Sequence, residues 1–510
     1  MQFGMPTTND KEDLIMGIRT GEQYLEDLNR RPRDLWIDGQ RVEGRVTEHP
    51  AFKNIARSVA HLYDMQHDPA TAREMSYASP STGDAVGLSF MEPHTREDLA
   101  RRRNMMMHWA RYSHGMMGRS PDYLNSELMA IASADAFFAE LAPSYAGNLR
   151  RYYEYVREND LCLTHTLILP QVNRSLAAAQ QKDPFLAARV VEKRREGVVI
   201  RGARMLATLP LADEILVFPS TVIRNTEEDR PYAFAFALPL STPGLRLICR
   251  ESFDYGKSHF DHPLGSRFEE MDAVVVFDDV VVPWERVFIL EDGEACNRLY
   301  QETDATVHMT HQVITKNIAK AEFVLGVTGL IVDTIGIEQF QHVQEKMSEV
   351  IIALETMKAL VVASEAQAEL NRYGVMTPAW TPLNIARNTF PKLYPRLMEI
   401  IQQLSASGLM ALPTEKDFVS PIRADVDRYF QARNTTALER TKLFRLAWDM
   451  AVSAFGSRQV LYERFFFGDP VRMAGALYMG YDKEPAKQQV REFLAMTPDP
   501  AHPAQEEGVS

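Results

Sequence analysis

The chain has 510 residues, of which 45% are hydrophobic and 25% are charged, and its formal net charge is −13. This balance is typical of a globular protein with two to four domains, and the acidic charge argues against nucleic acid or an anionic membrane surface as a partner. Its 3 cysteines, Cys162, Cys249 and Cys296, are too far apart for a CxxC motif or a disulfide framework, which fits a reducing cytoplasm.

The first 160 residues predict a helical domain with one small hairpin. Residues 1–16 read as a flexible extension without the apolar core of a signal peptide. Thr20 and Gln23 form a near capping box at the start of a helix, and 34–44 predicts a hairpin that turns at Asp38-Gly39. Apolar periodicity predicts further helices, at 49–68, 95–114 and 121–160.

Residues 161–290 change to short runs rich in β-branched and aromatic side chains, which predict a β domain built as a sandwich or barrel. We expect turns at Gly202 and Leu209-Pro210, and two strands around Asp278-Asp279.

Residues 291–510 predict a helical bundle, with a disordered tail at 500–510. Residues 315–335 are apolar on nearly every side, so this helix is expected to be buried in a core or between subunits. No run of about 18 apolar residues predicts a membrane span. The order of helices, strands and helices makes the fold class α+β.

The stretch RRRNMMMHWARYSHGMMGRSPDY, residues 101–123, carries the first chemical signal. A helix that starts at Pro121 places Arg119 and Tyr123 beside each other, four residues apart. This pair suits an anion or a phenolate, although the same spacing also fits a surface arginine beside a half-buried tyrosine.

Several common motifs do not occur. The chain has no GxGxxG after a strand, no GxxxxGK[ST], no HExxH and no GxSxG. The sequence therefore predicts no NAD(P) site of the Rossmann type, no P-loop and no serine-hydrolase elbow.

Four segments together resemble the flavin-dependent 4-hydroxyphenylacetate 3-monooxygenase family. They are MMGRSPDY (116–123), LTHTLILPQVNR (163–174), HPLGSRFEEMDAVVVFDDVVVPWERV (262–287) and AFGSRQVLYERFFFGDP (454–470). The resemblance extends from about residue 19 to 495. One departure is Leu169, where relatives often carry Asn.

The resemblance implies an acyl-CoA-dehydrogenase-like fold and the oxygenase component of a two-component aromatic hydroxylase. Such a protein uses reduced FAD and O₂ to hydroxylate a phenol, 4-hydroxyphenylacetate or a similar one, ortho to its hydroxyl group. A separate flavin reductase supplies the FADH₂, which agrees with the missing dinucleotide motif. It also implies a homotetramer.

Three residues match the catalytic positions of the family. Arg119 is expected to hold the phenolate oxygen by a charge-assisted hydrogen bond, Tyr123 to donate to the same oxygen, and His165 to take the phenol proton. Ser220 and Thr221 map near the substrate, although they also fit simple strand-end hydroxyls.

The resemblance also assigns positions to FAD and none to a metal. On the β-domain side they are His165, Thr166, Leu167, Ile168, Gln171, Val172, Asn173, Arg174 and Thr208. On the C-terminal side they are Phe455, Gly456, Ser457, Arg458, Gln459, Gly468 and Asp469. Arg174 suits the pyrophosphate, and Gly456 suits a close backbone approach or a helix C-cap.

Other functions remain open at this point. The substrate could be a pyrrole carboxylate, a chlorophenol or a nitrophenol. The related 4-hydroxybutyryl-CoA dehydratase needs cysteine ligands for an iron–sulfur cluster, and this chain lacks them in the region of Arg119. A true acyl-CoA dehydrogenase and a non-catalytic helical assembly protein are the remaining alternatives.

Overall fold

The computed structural model describes residues 17–219 and 223–496, and the chain divides into two units, Met1–Arg464 and Phe465–Ser510. The predicted extension at 1–16 and the predicted tail at 500–510 lie outside the described residues.

The N-terminal helices begin where the sequence provides caps. Thr20 with Gln23 and Thr95 with Asp98 form capping boxes, and Pro121 occupies the first turn of its helix. The helices are α1 (Gly21–Arg30), α2 (Lys53–Asp64), α3 (Ala72–Met75), α4 (Arg96–Tyr112), α5 (Pro121–Ser133), α6 (Asp135–Leu141) and α7 (Pro143–Glu158). The predicted helical stretch at 121–160 is therefore three helices.

The predicted hairpin at 34–44 is confirmed as β1 (Asp34–Ile37) and β2 (Gln40–Arg41), an antiparallel pair. β1 also pairs in parallel with β10 (Leu245–Cys249), so the hairpin extends a sheet of the central region. A second small hairpin joins β3 (Ser76–Ala78) to β4 (Ala85–Gly87).

The β region has two sheets. Its other strands are β5 (Leu163–Thr166), β6 (Arg189–Lys193), β7 (Gly197–Thr208), β8 (Glu214–Val217), β9 (Phe234–Pro239), β11 (Asp272–Pro283) and β12 (Val287–Leu290). One sheet has the order β2-β1-β10-β11-β7-β6 and the other β12-β9-β8-β5. β7 contacts β5, and β11 contacts β9, so the sheets pack on each other as predicted. The short helix α8 (Gly265–Phe268) precedes β11.

Two predicted turns in this region are wrong. β7 continues through Gly202, and β11 continues through Asp278-Asp279. Asp279 has φ 52°, and the β11–β7 register shifts between Phe277 and Val280, which is a bulge. At Gly202, with φ +116°, a Cβ would lie 2.4 Å from the Ala187 carbonyl oxygen. Gly202 and Asp279 therefore lie within a bulged pair of strands and not at turns. The predicted turn at Leu209-Pro210 is confirmed.

The C-terminal region is helical again. It contains α9 (Gly293–Glu302), α10 (Ala305–Ile335), α11 (Gln341–Ala366), α12 (Trp380–Ser405), α13 (Arg423–Tyr429), α14 (Ala437–Ala451) and α15 (Ala454–Phe465), with the hairpin β13 (Glu369–Leu370) and β14 (Met376–Thr377). α10 is central, since it contacts α4, α5, α11, α12 and α14.

The predicted burial of residues 315–335 in a core is confirmed for the first part of that segment, and the alternative, burial between subunits, stays a prediction for the exposed face of the rest. Residues 315–321 are buried, whereas Gly326 is exposed and Leu330 is 57% exposed.

The second unit contains α16 (Pro470–Gly480) and α17 (Glu484–Ala495). α17 has no buried residue, and Val490, Phe493 and Leu494 form an exposed apolar stripe at helical spacing. Among the described residues, no helix combines the length and apolar character needed to cross a membrane.

Candidate active site

The buried helix α5 presents a row of functional side chains. Arg119 precedes the helix, Tyr123 lies in its first turn and Glu127 follows one turn later, so the three share one face. The backbone N–H of Arg119 donates to Glu270 Oε1 over 2.6 Å, which fixes the entry to the helix. The sequence therefore predicted correctly that Arg119 and Tyr123 meet.

The Arg119 guanidinium lies over two phenol rings. Its carbon is 4.4 Å from the centre of the Tyr123 ring and 5.5 Å from that of Tyr462 in α15. Burial opposes the charge, but Tyr462, Tyr123 and Glu270 together raise the pKa of Arg119. A Cβ at Gly118 would fall 2.2 Å from the Tyr462 hydroxyl, so only glycine allows this approach.

His165 completes the group from β5, the edge strand that contacts α5. Its side chain is buried, and its ring meets the Tyr123 ring edge-on at 5.8 Å. Nδ1 lies 3.4 Å from Glu127 Oε2. Burial lowers the pKa of His165 despite the opposing effect of Glu127, and the charge of Arg119 adds to the decrease. The imidazole is therefore neutral near pH 7 and can accept a proton.

Several polar atoms around this imidazole are buried without a hydrogen bond from the part of the chain that the structure describes. They are Nδ1 of His165, both carboxylate oxygens of Glu127 and the hydroxyl of Tyr300 in α9. Burial and then the charge of Glu127 raise the pKa of Tyr300, so the two groups face each other. An unpaired buried polar group costs about 1–3 kcal/mol. Such a concentration marks a place where a polar ligand or water binds.

The sequence did not single out Glu127, Tyr300 or Tyr462. A signal was present for Glu127, which follows Tyr123 by four residues and extends the row that Arg119 and Tyr123 begin. Tyr462 lies within the segment 454–470 that carried the resemblance. Tyr300 is far from every quoted motif, and its place depends on how α9 packs.

The predicted cofactor segment continues from β5 and leaves the sheet. Thr166 donates through Oγ1 to the Met205 carbonyl over 2.7 Å, and Arg204 donates to the Leu167 carbonyl over 2.9 Å. Ile168 forms a bridge with Met205. These contacts hold the first part of the segment against β7.

The exposed part of that segment has the chemistry that a flavin nucleotide needs. Ile168 is 36% exposed, Val172 is 63% exposed, and Leu206, next to Met205, is 47% exposed. Leu206 adopts φ 64°, a conformation that costs energy for leucine. Polar side chains follow on the same exposed segment, at Gln171, Asn173 and Arg174. An apolar surface beside amide and guanidinium donors fits a flat ring with a charged phosphate chain.

Thr208 and Arg458, predicted for the cofactor from distant parts of the chain, meet at one carboxylate. Thr208 donates to Asp272 Oδ1 over 2.8 Å, and Arg458 binds the same carboxylate over 2.6 Å. Despite burial, the charge of Arg458 lowers the pKa of Asp272. Arg458 also lies 3.5 Å from Glu270.

The neighbouring predictions on α15 occupy different environments. Phe455 is buried and Ser457 is exposed. Gln459 is buried and donates to the Met116 carbonyl over 2.8 Å. At Gly456 a Cβ would lie 2.4 Å from the Met450 carbonyl oxygen, so this glycine permits close packing on the end of α14. Their contact with a cofactor stays a prediction.

Four predicted residues remain, namely Ser220, Thr221, Gly468 and Asp469. Ser220 and Thr221 lie outside the described residues. Gly468 and Asp469 belong to the second unit, where Asp469 caps α16 by accepting from the Val471 N–H over 2.7 Å.

The donor set does not suit an iron–sulfur cluster. The 3 cysteines are buried free thiols, and within residues 17–219 and 223–496 no group of three His, Cys, Asp or Glu side chains is arranged to hold a metal ion.

Two family models match nearly the whole chain. The one described as "4-hydroxyphenylacetate 3-hydroxylase N terminal" matches residues 20–289, and its C-terminal counterpart matches residues 296–495.

Named relatives agree with these matches. The 4-hydroxyphenylacetate 3-monooxygenase oxygenase component of Geobacillus sp. (strain PA-9) is 52% identical, covering 94% of this chain and 97% of that protein. The protein of the same name from Thermus thermophilus is 51% identical, with coverages of 93% and 97%.

Solved structures agree with the family matches. The crystal structure of a 4-hydroxyphenylacetate 3-monooxygenase oxygenase component complexed with FAD and 4-hydroxyphenylacetate is 50% identical, with a TM-score of 0.90 and coverages of 94% and 98%. An archaeal 4-hydroxybutyryl-CoA dehydratase, 21% identical with a TM-score of 0.85, shares the fold. The predicted α+β fold class is confirmed, and the acyl-CoA-dehydrogenase-like likeness stays a prediction.

Proposed function

The chain belongs to the 4-hydroxyphenylacetate 3-hydroxylase family, and from this premise we propose that it is the oxygenase component of a two-component flavin monooxygenase. It uses reduced FAD and O₂ to hydroxylate a phenol to a catechol. The observation that carries the proposal is that Arg119, Tyr123 and His165 lie together in one buried place. Buried polar atoms without a hydrogen bond, such as Nδ1 of His165, lie in the same place.

Arg119 and Tyr123 bind the phenol oxygen. Hydroxylation at the ortho carbon needs electron density in the ring, and the phenolate form supplies it. A guanidinium stabilises a phenolate through charge-assisted hydrogen bonds. Because burial keeps the pKa of Tyr123 above its usual value, this side chain stays protonated and can donate to the same oxygen.

His165 receives the phenol proton. Its lowered pKa keeps the imidazole neutral, which a general base requires. Its burial, with Tyr123 at 5.8 Å, restricts water at the place where the proton moves.

FAD, when bound in its reduced form, supplies the chemistry with O₂. The exposed segment from Ile168 to Arg174, together with Leu206, offers the surface for it. His165 precedes this segment at the end of β5, so the proposed proton acceptor is close in the chain to the proposed flavin surface.

The proposed substrate is 4-hydroxyphenylacetate, because relatives near 50% identity carry that name. A 4-nitrophenol 2-monooxygenase oxygenase component from Rhodococcus sp. is 33% identical, so nitrophenols are the second candidate.

We further propose that the active protein is a homotetramer or at least a homodimer, in the cytoplasm. The exposed apolar stripe of α17 and the exposed Leu330 on α10 support assembly, because apolar surface of this kind is commonly covered by another chain. The buried free thiols suit a reducing compartment. A monomeric mass by light scattering at micromolar concentration would contradict the assembly proposal.

The proposed activity is tested with purified protein, FAD, NADH and 4-hydroxyphenylacetate, with and without a generic flavin reductase. We expect neither NADH oxidation nor catechol formation without the reductase, and both with it. Rapid NADH oxidation by the protein alone would contradict a separate reductase. Absence of catechol from a panel of phenols in the complete mixture would contradict the activity.

A further inference from the structure

We propose that Glu127 is a positioning residue for His165. Its carboxylate accepts a hydrogen bond from Nδ1–H. This contact fixes the imidazole in the tautomer whose Nε2 is free to receive the proton of the phenol. The proposal rests on the proposed function and gives a role to a residue outside the three that match the catalytic positions of the family.

The geometry provides the first argument. Glu127 Oε2 lies 3.4 Å from His165 Nδ1, and both side chains are at most 3% exposed. The distance is long for a hydrogen bond, as catalytic contacts often are before the substrate binds. Nδ1 has no other hydrogen bond within the described part of the chain, and the other polar neighbour of Glu127 is the hydroxyl of Tyr300. Oε2 is therefore the available partner of Nδ1, while the carboxylate has a second oxygen for Tyr300.

The tautomer provides the second argument. A neutral imidazole has one donor and one acceptor nitrogen, and the partner of one nitrogen decides the role of the other. A carboxylate beside Nδ1 makes that nitrogen the donor, so Nε2 is left to accept. In the proposed step, the phenol O–H bond breaks, a bond from Nε2 to the proton forms, and a phenolate beside an imidazolium results.

Charge provides the third argument. The charged and titratable groups around His165 are Glu127, Tyr123 and Arg119, with Tyr300 beside Glu127. Arg119 stabilises the phenolate but disfavours an imidazolium nearby. Glu127 carries the opposite charge and stabilises the imidazolium, so the pair of Arg119 and Glu127 suits both products of the proton transfer.

The sign of the effect follows from these charges. Replacing Glu127 by the neutral glutamine removes the group that stabilises the imidazolium, while Arg119 remains. The phenol should then keep its proton up to a higher pH. An amide also offers a donor to Nδ1, so it no longer specifies the productive tautomer.

The test measures the ionisation of bound 4-nitrophenol, whose absorbance reports the phenolate directly. It uses the full-length protein with oxidised FAD, and difference spectra are recorded against pH. In Glu127→Gln, we expect the midpoint of ionisation to rise by about one pH unit, which is a tenfold change in the proton-transfer equilibrium. With reductase, NADH and O₂, hydroxylation of 4-hydroxyphenylacetate should fall roughly tenfold to a hundredfold, as for other residues that orient a histidine.

Two controls separate this role from a structural one. Asp122→Asn neutralises another buried carboxylate on α5, whose Oδ2 accepts from Gln312 over 3.0 Å, and should leave the ionisation midpoint unchanged. In a His165→Ala background, Glu127→Gln should shift the midpoint no further, because the charge acts through the imidazole. If Glu127→Gln does not fold, Glu127→Asp replaces it; that carboxylate is one methylene shorter, so a smaller rise is expected.

Two results would overturn the proposal. One is an unchanged midpoint and an unchanged hydroxylation rate in the folded Glu127 variant. The other is an equal shift with and without His165. If the wild-type protein hydroxylates no phenol, the proposed function fails, but the ionisation of bound nitrophenol still decides the role of Glu127.

Discussion

Two buried glutamates of this protein differ in what surrounds them. Glu463, in α15, accepts hydrogen bonds from Lys316 over 2.6 Å and Lys320 over 2.5 Å. Glu127, in α5, is equally buried, but its polar neighbours are uncharged: they are Nδ1 of His165, 3.4 Å from Oε2, and the hydroxyl of Tyr300.

This difference in hydrogen-bond partners distinguishes buried groups that stabilise the fold from buried groups that take part in the reaction. Around Glu463, Lys320 also donates to Gln459 over 2.9 Å, so the chain itself satisfies the buried charges. Around Glu127, the compensating positive charge appears only when the imidazole of His165 takes the proton of the substrate in the proposed reaction. Satisfied buried networks stabilise a fold, whereas unsatisfied ones are tolerated mainly at functional sites.

The largest expected effect comes from breaking the satisfied network. In Glu463→Gln, two buried ammonium groups lose their carboxylate, and removal of one partner of a buried ion pair costs about 3–5 kcal/mol. Glu127→Gln should cost less than about 1 kcal/mol, because it removes a carboxylate that gains little from its surroundings. Urea unfolding of both variants and wild type, at one protein concentration, measures the difference.

The contribution of Glu463 to the stability of the fold should also depend on pH. Burial opposes the charge of Glu463, but Lys316 and Lys320 lower its pKa to about 2. A carboxylate with a lowered pKa stabilises the fold above its unfolded pKa, and this contribution is lost as pH falls toward the folded pKa. The stability gap between wild type and Glu463→Gln should therefore shrink from about pH 4.5 to about pH 2. Equal losses of stability in both glutamine variants would contradict the comparison.

Much of the fold could be predicted from local pattern. Capping at Thr20 and the turn at Asp38-Gly39 are local signals, and both are confirmed. Gly202 and Asp279 also carry local turn signals, but their role depends on the partner strand, and there the prediction was wrong. The parallel pairing of β1 with β10 joins residues some 200 positions apart, and no short-range pattern specifies it.

The residues of the candidate site also divide into those that local sequence predicts and those that depend on tertiary packing. Arg119 and Tyr123 are close in sequence, so their meeting could be predicted from helical spacing, and the resemblance added His165. Tyr462 and Tyr300 reach the site through the packing of α15 and α9, which the sequence did not reveal. The cofactor positions on α15 stay predictions, because Arg458 and Gln459 already have partners within the chain.

A smaller effect, on substrate binding and hydroxylation, is expected from Arg119→Ala. The variant loses a charge-assisted contact to the phenolate, which contributes about 1.5–3 kcal/mol. This corresponds to roughly a tenfold to hundredfold loss in phenol affinity or rate. O₂ consumption with reduced FAD should continue, because the phenolate contact takes no part in it. The oxygen should then appear as H₂O₂ instead of catechol, so the ratio of H₂O₂ to catechol measures the effect.

Arg111→Ala is the matched control, because Arg111 is an exposed arginine on the preceding helix that pairs with Glu322. It should keep the wild-type ratio, since exposed ion pairs contribute little and this one lies outside the group around His165. If Arg119→Ala hydroxylates phenols with normal coupling, the phenolate does not bind beside Arg119 and Tyr123. The unsatisfied atoms around Glu127 would then serve a different ligand, and the contrast between the two glutamates would no longer locate the chemistry.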